Sequence, residues 1–329
     1  MKERIHFVDT AKGVTLLLVI FLHISNCYPG HPYTDSMFRT VVSTFFMPVF
    51  FILSGLFFTS KDDFPKWLKK KTKRLCVPYI VFYLLTYILA FIMVKLLGVG
   101  TKNGFNYSDI FIVFRQDVFA NATIWFLLAL FWASLLMYAI ERASKLWWSK
   151  LIMVIIVVSG GVYCSSSGVN IPLYIDSAMS LFPFLYVGVL LKRIDFVQRL
   201  QAFSYKWVFL LLAIALLTID VYTAHGISLV NNYIGNPFFY LLGAITGSFA
   251  MIFLCSFFGK IPVVTYLGEN SMAVLCAHGY IMNIIVKLLK LLPISSVISS
   301  IIVLVLVSLS FYIIVPFFKR YIPWAIGEK

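Results

Sequence analysis

Two histidines and one lysine lie inside or beside long apolar stretches of this sequence, where ionisable side chains are rare. Lys12 and His23 belong to the first apolar stretch, and His278 belongs to one near the carboxyl end. Polar groups within a bilayer cost free energy, so each one needs a structural or functional reason. Histidine exchanges a proton near neutral pH, as a general base must, and lysine can hold an anionic ligand. The residue types indicate proton transfer next to an anion site.

Lys12 and His23 are separated by 11 positions. On a helix this is close to three full turns, so both side chains share one face and lie roughly 16 Å apart along the axis. The spacing places Lys12 at the cytoplasmic surface and His23 near the middle of the membrane. From spacing alone, a snorkelling lysine that sets topology, with a histidine hydrogen-bonded between helices, is the plainer interpretation of these two residues.

A second polar stretch runs from Gly268-Glu269-Asn270-Ser271 to His278. Ser271 and His278 are two helical turns apart and share a face. His278 is therefore predicted either to orient His23 or to contact the ligand. A plain hydrogen bond between helices is the alternative.

The densest cluster of charge is the run Lys66-Trp67-Leu68-Lys69-Lys70-Lys71-Thr72-Lys73-Arg74 ahead of Pro78. It suits the phosphates of a nucleotide-containing cofactor or anionic lipid headgroups, and it also suits a topology signal. Ser54 and Gly55 are small enough for two helices to approach closely there. Trp125 stands where an aromatic belt at the membrane interface is expected.

The elements that position these residues must be membrane-spanning helices. Of 329 residues, 61% are hydrophobic and 12% charged, and the mean hydropathy is +0.94, which excludes a soluble fold. We therefore predict an all-α polytopic bundle, a single domain over residues 1–329, with about ten spans. The predicted spans are 13–29, 38–59, 76–98, 122–140, 151–167, 176–191, 207–223, 237–258, 267–289 and 294–318.

The basic residues predict the orientation of the bundle. With the amino terminus in the cytoplasm, only six of the 27 lysines and arginines face the other side, which places both termini in the cytoplasm. This arrangement explains most of the net charge of +14 without nucleic acid as a partner. The six are Arg39, Lys95, Lys102, Arg115, Lys287 and Lys290.

The outer connections 98–121 and 224–236 contain asparagine and glycine beside aromatic residues and are predicted to be loops, with 110–119 lying along the membrane surface. The five cysteines have no metal-ligand spacing, and we expect no metal. There is no fixed-period repeat, so a transporter built from inverted halves has no support.

In order along the chain, these pieces resemble the integral-membrane acyltransferase family 3, and within it the sugar O-acetylases related to fucose 4-O-acetylase. The motifs that carry the resemblance are Asp9-Thr10-Ala11-Lys12-Gly13 with His23, Met47-Pro48-Val49-Phe50-Phe51-Ile52-Leu53-Ser54-Gly55, Lys71-Thr72-Lys73-Arg74-Leu75-Cys76-Val77-Pro78-Tyr79, Trp125-Phe126-Leu127, Phe184-Leu185-Tyr186-Val187-Gly188, and Gly268-Glu269-Asn270-Ser271-Met272 with His278. One position departs from the pattern, because Phe46 stands where related sugar acetylases often have a histidine.

The resemblance implies transfer of an acyl group, usually acetyl from cytoplasmic acetyl-CoA, to a hydroxyl of a surface glycan or lipid-linked sugar. It implies His23 as the catalytic base, with Lys12 as its partner and His278 as a further catalytic candidate. Lys12, Lys71, Arg74 and Arg4 are the implied donor-binding residues. Further site candidates, including oxyanion donors, are Asp9, Ser54, Trp125, Asn270 and Ser271.

The expected location is a bacterial cytoplasmic membrane, with membrane lipids as partners and a homo-oligomer left open. Two other function classes share the polytopic pattern. A transporter or flippase for a lipid-linked saccharide or small solute would not depend on acetyl-CoA. A sensor or scaffold without catalysis would tolerate loss of both His23 and Lys12.

Overall fold

The computed structural model describes residues 4–34, 36–96, 107–108, 110–111, 122–221 and 227–328. The described residues form helices and contain no β-strand beyond one isolated bridge between Ser228 and Tyr233. The helices are α1 His6–Ser25, α2 Met37–Leu56, α3 Phe64–Lys71, α4 Val77–Phe91, α5 Trp125–Ala143, α6 Trp147–Ser167, α7 Ile175–Arg193, α8 Phe196–Ala202, α9 Lys206–Val221, α10 Pro237–Phe258, α11 Pro262–Glu269, α12 Ser271–Leu289 and α13 Ser296–Tyr321. Most of the predicted loop 98–121 and the start of the loop 224–236 lie outside the described residues.

Nine helical segments within the described ranges are long and apolar enough to cross a membrane. A tenth results if the bent pair Phe196–Ala202 and Lys206–Thr218, with an angle of 112° between its helices, is one span. α9 packs along α10, as a spanning helix would. The prediction of an all-α polytopic bundle with about ten spans is confirmed.

Three predicted boundaries are wrong. α1 begins at His6 rather than 13, because helical hydrogen bonding extends beyond the apolar stretch and includes Lys12. The predicted connection 60–75 is largely helical, since Phe64–Lys71 continues through a π-helical turn, Thr72–Cys76, into α4. The predicted span 267–289 is interrupted at Asn270, where α11 ends and α12 begins.

The described chain begins and ends at the same end of the bundle. The Thr10 hydroxyl near the start of α1 donates to the carbonyl oxygen of Gly259 at the end of α10, with 2.6 Å between the oxygens. Gly327 packs on Arg74, whose backbone oxygen would lie 2.7 Å from a Cβ there. We call this the basic end, formed by connections 57–63, 144–146, 194–205 and 259–261. Ten crossings, with α9 counted as one, are an even number, and an even number of crossings returns a chain to the side on which it began.

Glycines bring pairs of helices into direct backbone contact around the site. A Cβ at Gly13 of α1 would lie 2.7 Å from the carbonyl carbon of Val264 in α11, and one at Gly268 equally close to that of Asp9. A Cβ at Gly55 of α2 would lie 2.8 Å from the Cα of Gly188 in α7. The close approach predicted at Gly55 is confirmed. Backbone contact of this kind fixes the depth at which each helix presents its polar residues.

Candidate active site

A cavity of about 650 Å³ lies at the basic end of the bundle. Residues from α1, α2, the α3–α4 segment, α5 and α12 surround it, together with Arg4 and Ile5 ahead of α1. Its polar lining residues are Arg4, Asp9, Lys12, Ser54, Lys71, Arg74 and Ser271. Four cationic side chains and one carboxylate therefore line the same cavity, which gives it a positive charge.

Asp9 neutralises part of that charge and orders two of the cations. Its carboxylate accepts from Arg4 Nε at 2.9 Å and lies 3.3 Å from Lys12 Nζ. The Arg4 guanidinium also lies 3.3 Å from a carboxylate oxygen of Glu269. The hydrogen bond to Asp9 raises the pKa of Arg4 above its ordinary value. Asp9 therefore holds Arg4 and Lys12 at fixed positions on the cavity wall.

Lys71 and Arg74 are the cations whose charge is not shared with a carboxylate among the described residues. The Lys71 ammonium donates to Ser134 Oγ at 3.3 Å and lies 5.6 Å from the ring centre of Phe58. Arg74 is exposed, at the mouth of the cavity. Lys71 precedes the π-helical turn and Arg74 lies within it. The two residues supply uncompensated positive charge to an anionic ligand.

The deeper wall of the cavity is apolar. Phe50 and Leu53 of α2 face Phe126 of α5, and the Phe50 and Phe126 rings meet edge to face with 5.6 Å between their centres. Leu275 of α12 also lines this part. The cavity thus passes from a basic mouth to an apolar interior.

A pair of histidines lies beyond this apolar wall. The ring centres of His23 on α1 and His278 on α12 are 5.7 Å apart. His278 is fully buried, and its Nδ1 lies 2.9 Å from the carbonyl oxygen of Val274. A carbonyl only accepts, so Nδ1 carries the proton and Nε2 is left as an acceptor. Nε2 is buried without a hydrogen-bond partner among the described residues.

His278 follows Leu275 by three residues on α12, which is about 4.5 Å along the helix axis. The histidine pair is therefore adjacent to the apolar part of the cavity, although neither histidine lines it. His23 is partly exposed, and its ring makes no hydrogen bond to the described residues. Two imidazole side chains therefore lie beside the apolar part of a cavity whose mouth is basic.

The structure brings most of the predicted site residues together, with two differences in detail. His23 lies in the last turn of α1, two residues before its end, rather than midway along a span. Trp125 is 5% exposed and packs on Tyr174, so it belongs to the interior rather than to an outer aromatic belt. Of the predicted oxyanion donors, Ser54 and Ser271 line the cavity, whereas Trp125 and Asn270 do not.

The amide of Asn270 is committed elsewhere, because its Nδ2 donates to the carbonyl oxygen of Tyr266 at 2.8 Å. Sequence reasoning missed Ser134, which receives the hydrogen bond from Lys71. No local signal identifies a serine in the middle of α5 as the neighbour of a lysine 63 positions earlier. Only the packing of α3 against α5 brings the two together.

Comparisons with known proteins agree with this architecture. A family model described as an acyltransferase domain matches residues 5–315. Glucans biosynthesis protein C of Shigella dysenteriae serotype 1 (strain Sd197) is 28% identical over 142 residues, which cover 39% of this chain and 36% of that relative. The chain matches little more than a third of the relative's length. No solved structure matches the chain significantly.

The family model extends from the residue before α1 into α13 and so includes the cavity, both histidines and the basic segment. It covers far more than half of the chain. The chain therefore belongs to the integral-membrane acyltransferase family 3.

Proposed function

We propose that this membrane acyltransferase moves an acetyl group from acetyl-CoA to a hydroxyl of a surface glycan or lipid-linked sugar. The observation that supports this most is the cavity itself, in which a basic mouth opens into an apolar interior that ends beside a histidine pair. A thioester donor carries phosphates at one end, which match the basic mouth, and a reactive acyl group at the other end, which matches the apolar interior.

The lining suits such a donor. Lys71 and Arg74 carry charge that no carboxylate of the described residues offsets, and phosphates are strongly bound by such groups. The volume of about 650 Å³ is in the range of small-molecule sites. Phe50 and Phe126 offer an apolar path for a flexible arm. Excluding water from this path would protect a thioester from hydrolysis.

The acceptor class is inferred from two features. The relative named for glucan biosynthesis suggests a carbohydrate. In addition, His23 lies in the last turn of α1, toward the end of the bundle that faces away from the basic mouth. A sugar hydroxyl would reach the histidine pair from that end, while the donor enters from the basic end.

In the proposed reaction, His23 removes the proton from the sugar hydroxyl as its oxygen attacks the thioester carbonyl carbon. The new C–O bond forms, the C–S bond breaks, and the leaving thiolate receives from His23 the proton that came from the sugar hydroxyl. His278 would act as a positioning residue, because its bare Nε2 can accept a hydrogen bond from the second nitrogen of His23. Ser54 and Ser271 are the candidate donors to the developing oxyanion.

Binding of acetyl-CoA to the purified protein in nanodiscs tests the donor site. The double variant Lys71→Gln with Arg74→Gln should bind acetyl-CoA at least about tenfold more weakly, because each substitution removes a charge-assisted contact to phosphate. Its matched control is Lys69→Gln with Lys73→Gln, which removes two exposed charges of the same segment that do not line the cavity. The control should bind like the unmodified protein.

Equal weakening in both double variants would attribute binding to general charge and contradict the assignment of the cavity. Mass spectrometry of surface glycans from cells with and without the gene then identifies the acceptor. An acetyl group that disappears with the gene supports transfer. A normal glycan acetylation pattern, combined with solute flux that needs no acetyl-CoA, would favour a transporter instead.

A further inference from the structure

A second basic cavity lies beside the first and plays no part in the proposed reaction. It has a volume of about 370 Å³ and is formed by the start of α1, the bend between α8 and α9, and the end of α10. The residues that line it are Arg4, Ile5, His6, Phe7, Gln201, Lys206, Ser256, Gly259 and Lys260. Four of them are basic types, and no acidic side chain is among them.

Its positive charge rests chiefly on the two lysines. Arg4 is already paired with Asp9 and Glu269. Among the described residues, Lys206 donates only to the carbonyl oxygen of Ser256, at 3.0 Å, and its ammonium lies 4.8 Å from the ring centre of Phe257. Lys260 is exposed and makes no ion pair with any described residue. Two uncompensated ammonium groups beside His6 favour an anion, with phosphate as the matching chemistry.

The surroundings indicate that the anion belongs to a lipid. Exposed aromatic side chains flank the cavity on both sides of Lys206, at Tyr205 and Trp207, and Phe258 is exposed next to Gly259. Aromatic residues of this kind occupy the level of the headgroups in a membrane. Beyond them, the side chains of Phe209, Leu211 and Leu212 form an apolar outer surface on α9. A headgroup in the cavity would leave its acyl chains against that surface.

We infer that this second cavity binds the phosphate headgroup of an anionic phospholipid, held by Lys206 and Lys260 with His6 at its edge. The inference does not depend on the proposed reaction, since it concerns other residues. Arg4 lines both cavities, so an occupied lipid site would lie directly beside the donor site.

Native mass spectrometry of the full chain, released from micelles that contain phosphatidylglycerol, tests this. The double variant Lys206→Gln with Lys260→Gln should retain bound phosphatidylglycerol about tenfold less than the unmodified protein, following the usual contribution of basic residues to anionic-lipid binding. Lys69→Gln with Lys73→Gln removes the same charge at the same end outside both cavities and should leave retention unchanged. The double variant Lys206→Arg with Lys260→Arg keeps both charges and should retain the lipid. It shows whether the loss of lipid in the Gln pair is due to lost charge or to misfolding.

Three results would overturn the inference. Retention that falls equally in both Gln pairs would mean diffuse charge attraction. Retention of phosphatidylcholine as strong as that of phosphatidylglycerol would exclude headgroup charge as the cause. Displacement of the lipid by millimolar inorganic phosphate would identify a soluble anion as the ligand.

Discussion

The two histidines have unequal surroundings, which supports the unequal roles proposed for them. His278 is fixed in one tautomer by the carbonyl oxygen of Val274, one turn earlier on its own helix, and it is fully buried. His23 has no such constraint from the described residues and retains some exposure. A base must both meet its substrate and release its proton, which the less constrained imidazole does more readily. His278 is better suited to orient it.

We expect His23→Gln to lower the rate of acetyl transfer by about two orders of magnitude or more, the usual effect of losing a general base. His278→Gln should lower it less and should shift the pH profile, because an amide oxygen can accept a hydrogen bond but does not titrate. Rates against pH, measured with purified protein and its acceptor, check both. The matched control is His31→Gln, whose imidazole Nε2 lies 3.1 Å from Ser300 Oγ and does not line the cavity.

His31→Gln should leave the rate unchanged. Near-normal transfer by His23→Gln would remove His23 from the mechanism. If His278→Gln alone abolished transfer, the two roles would be exchanged.

At the scale of elements, the contact of α1 with α11 determines where Asp9 and Lys12 lie. Gly13 of α1 packs directly against the backbone of Val264, and Gly268 of α11 packs directly against the backbone of Asp9. Gly13 follows Lys12 in the sequence and Gly268 touches Asp9 in space, so each glycine is next to a charged residue of the cavity wall. A methyl group at either position must separate the helices, since the atoms it meets belong to backbone.

Gly13→Ala is therefore expected to destabilise the protein by about 1–3 kcal/mol, the usual cost of overpacking. It should also weaken acetyl-CoA binding, because Lys12 and Asp9 shift with α1. Thermal unfolding and donor binding measure the two effects. Gly160→Ala is the control, since its methyl group would meet only the flexible side chain of Met179. Equal destabilisation by both variants would contradict a special role for the α1–α11 contact.

Elements were predictable from the sequence where one physical signal dominates. Long apolar runs predict the spans because the hydrocarbon core demands them. Helix ends were less predictable, since α1 begins with polar residues that are buried in the bundle, and α3 consists largely of exposed lysines around the buried Trp67. The helix break at Asn270 comes two residues after Gly268. A glycine can mark a helix end, but the long apolar run around it led to the prediction of one continuous span. The cavity itself depends on which helix faces meet, as Lys71 and Ser134 illustrate.

At the scale of the whole molecule, the two cavities and both ends of the described chain share the basic end. The placement of lysine and arginine predicts that this end faces the cytoplasm. His23 lies toward the other end of α1. The proposed donor and acceptor would therefore approach from opposite sides of the bundle.

In sealed vesicles of known orientation, acetyl-CoA supplied at the cytoplasmic face should label an acceptor confined to the other face, and free CoA should return to the donor side. Radiolabelled acetyl groups make the transfer measurable. The same vesicles with His23→Gln provide the control and should show little labelling. Labelling that requires donor and acceptor on one side would indicate an ordinary inner-face acyltransferase.

The π-helical turn Thr72–Cys76 has a consequence for how this chain tolerates changes in length. A π-turn accommodates one residue more than an α-helical turn. Because the turn absorbs that extra residue, removing one residue there, such as exposed Lys73, would let α3 and α4 join as one regular helix with their relative orientation largely kept. A deletion within regular α-helix between Lys71 and the span would instead rotate Lys71 by about 100°, away from Ser134 and the cavity. The π-turn should therefore tolerate the loss of one residue among functional relatives, whereas the regular helix that follows it should not.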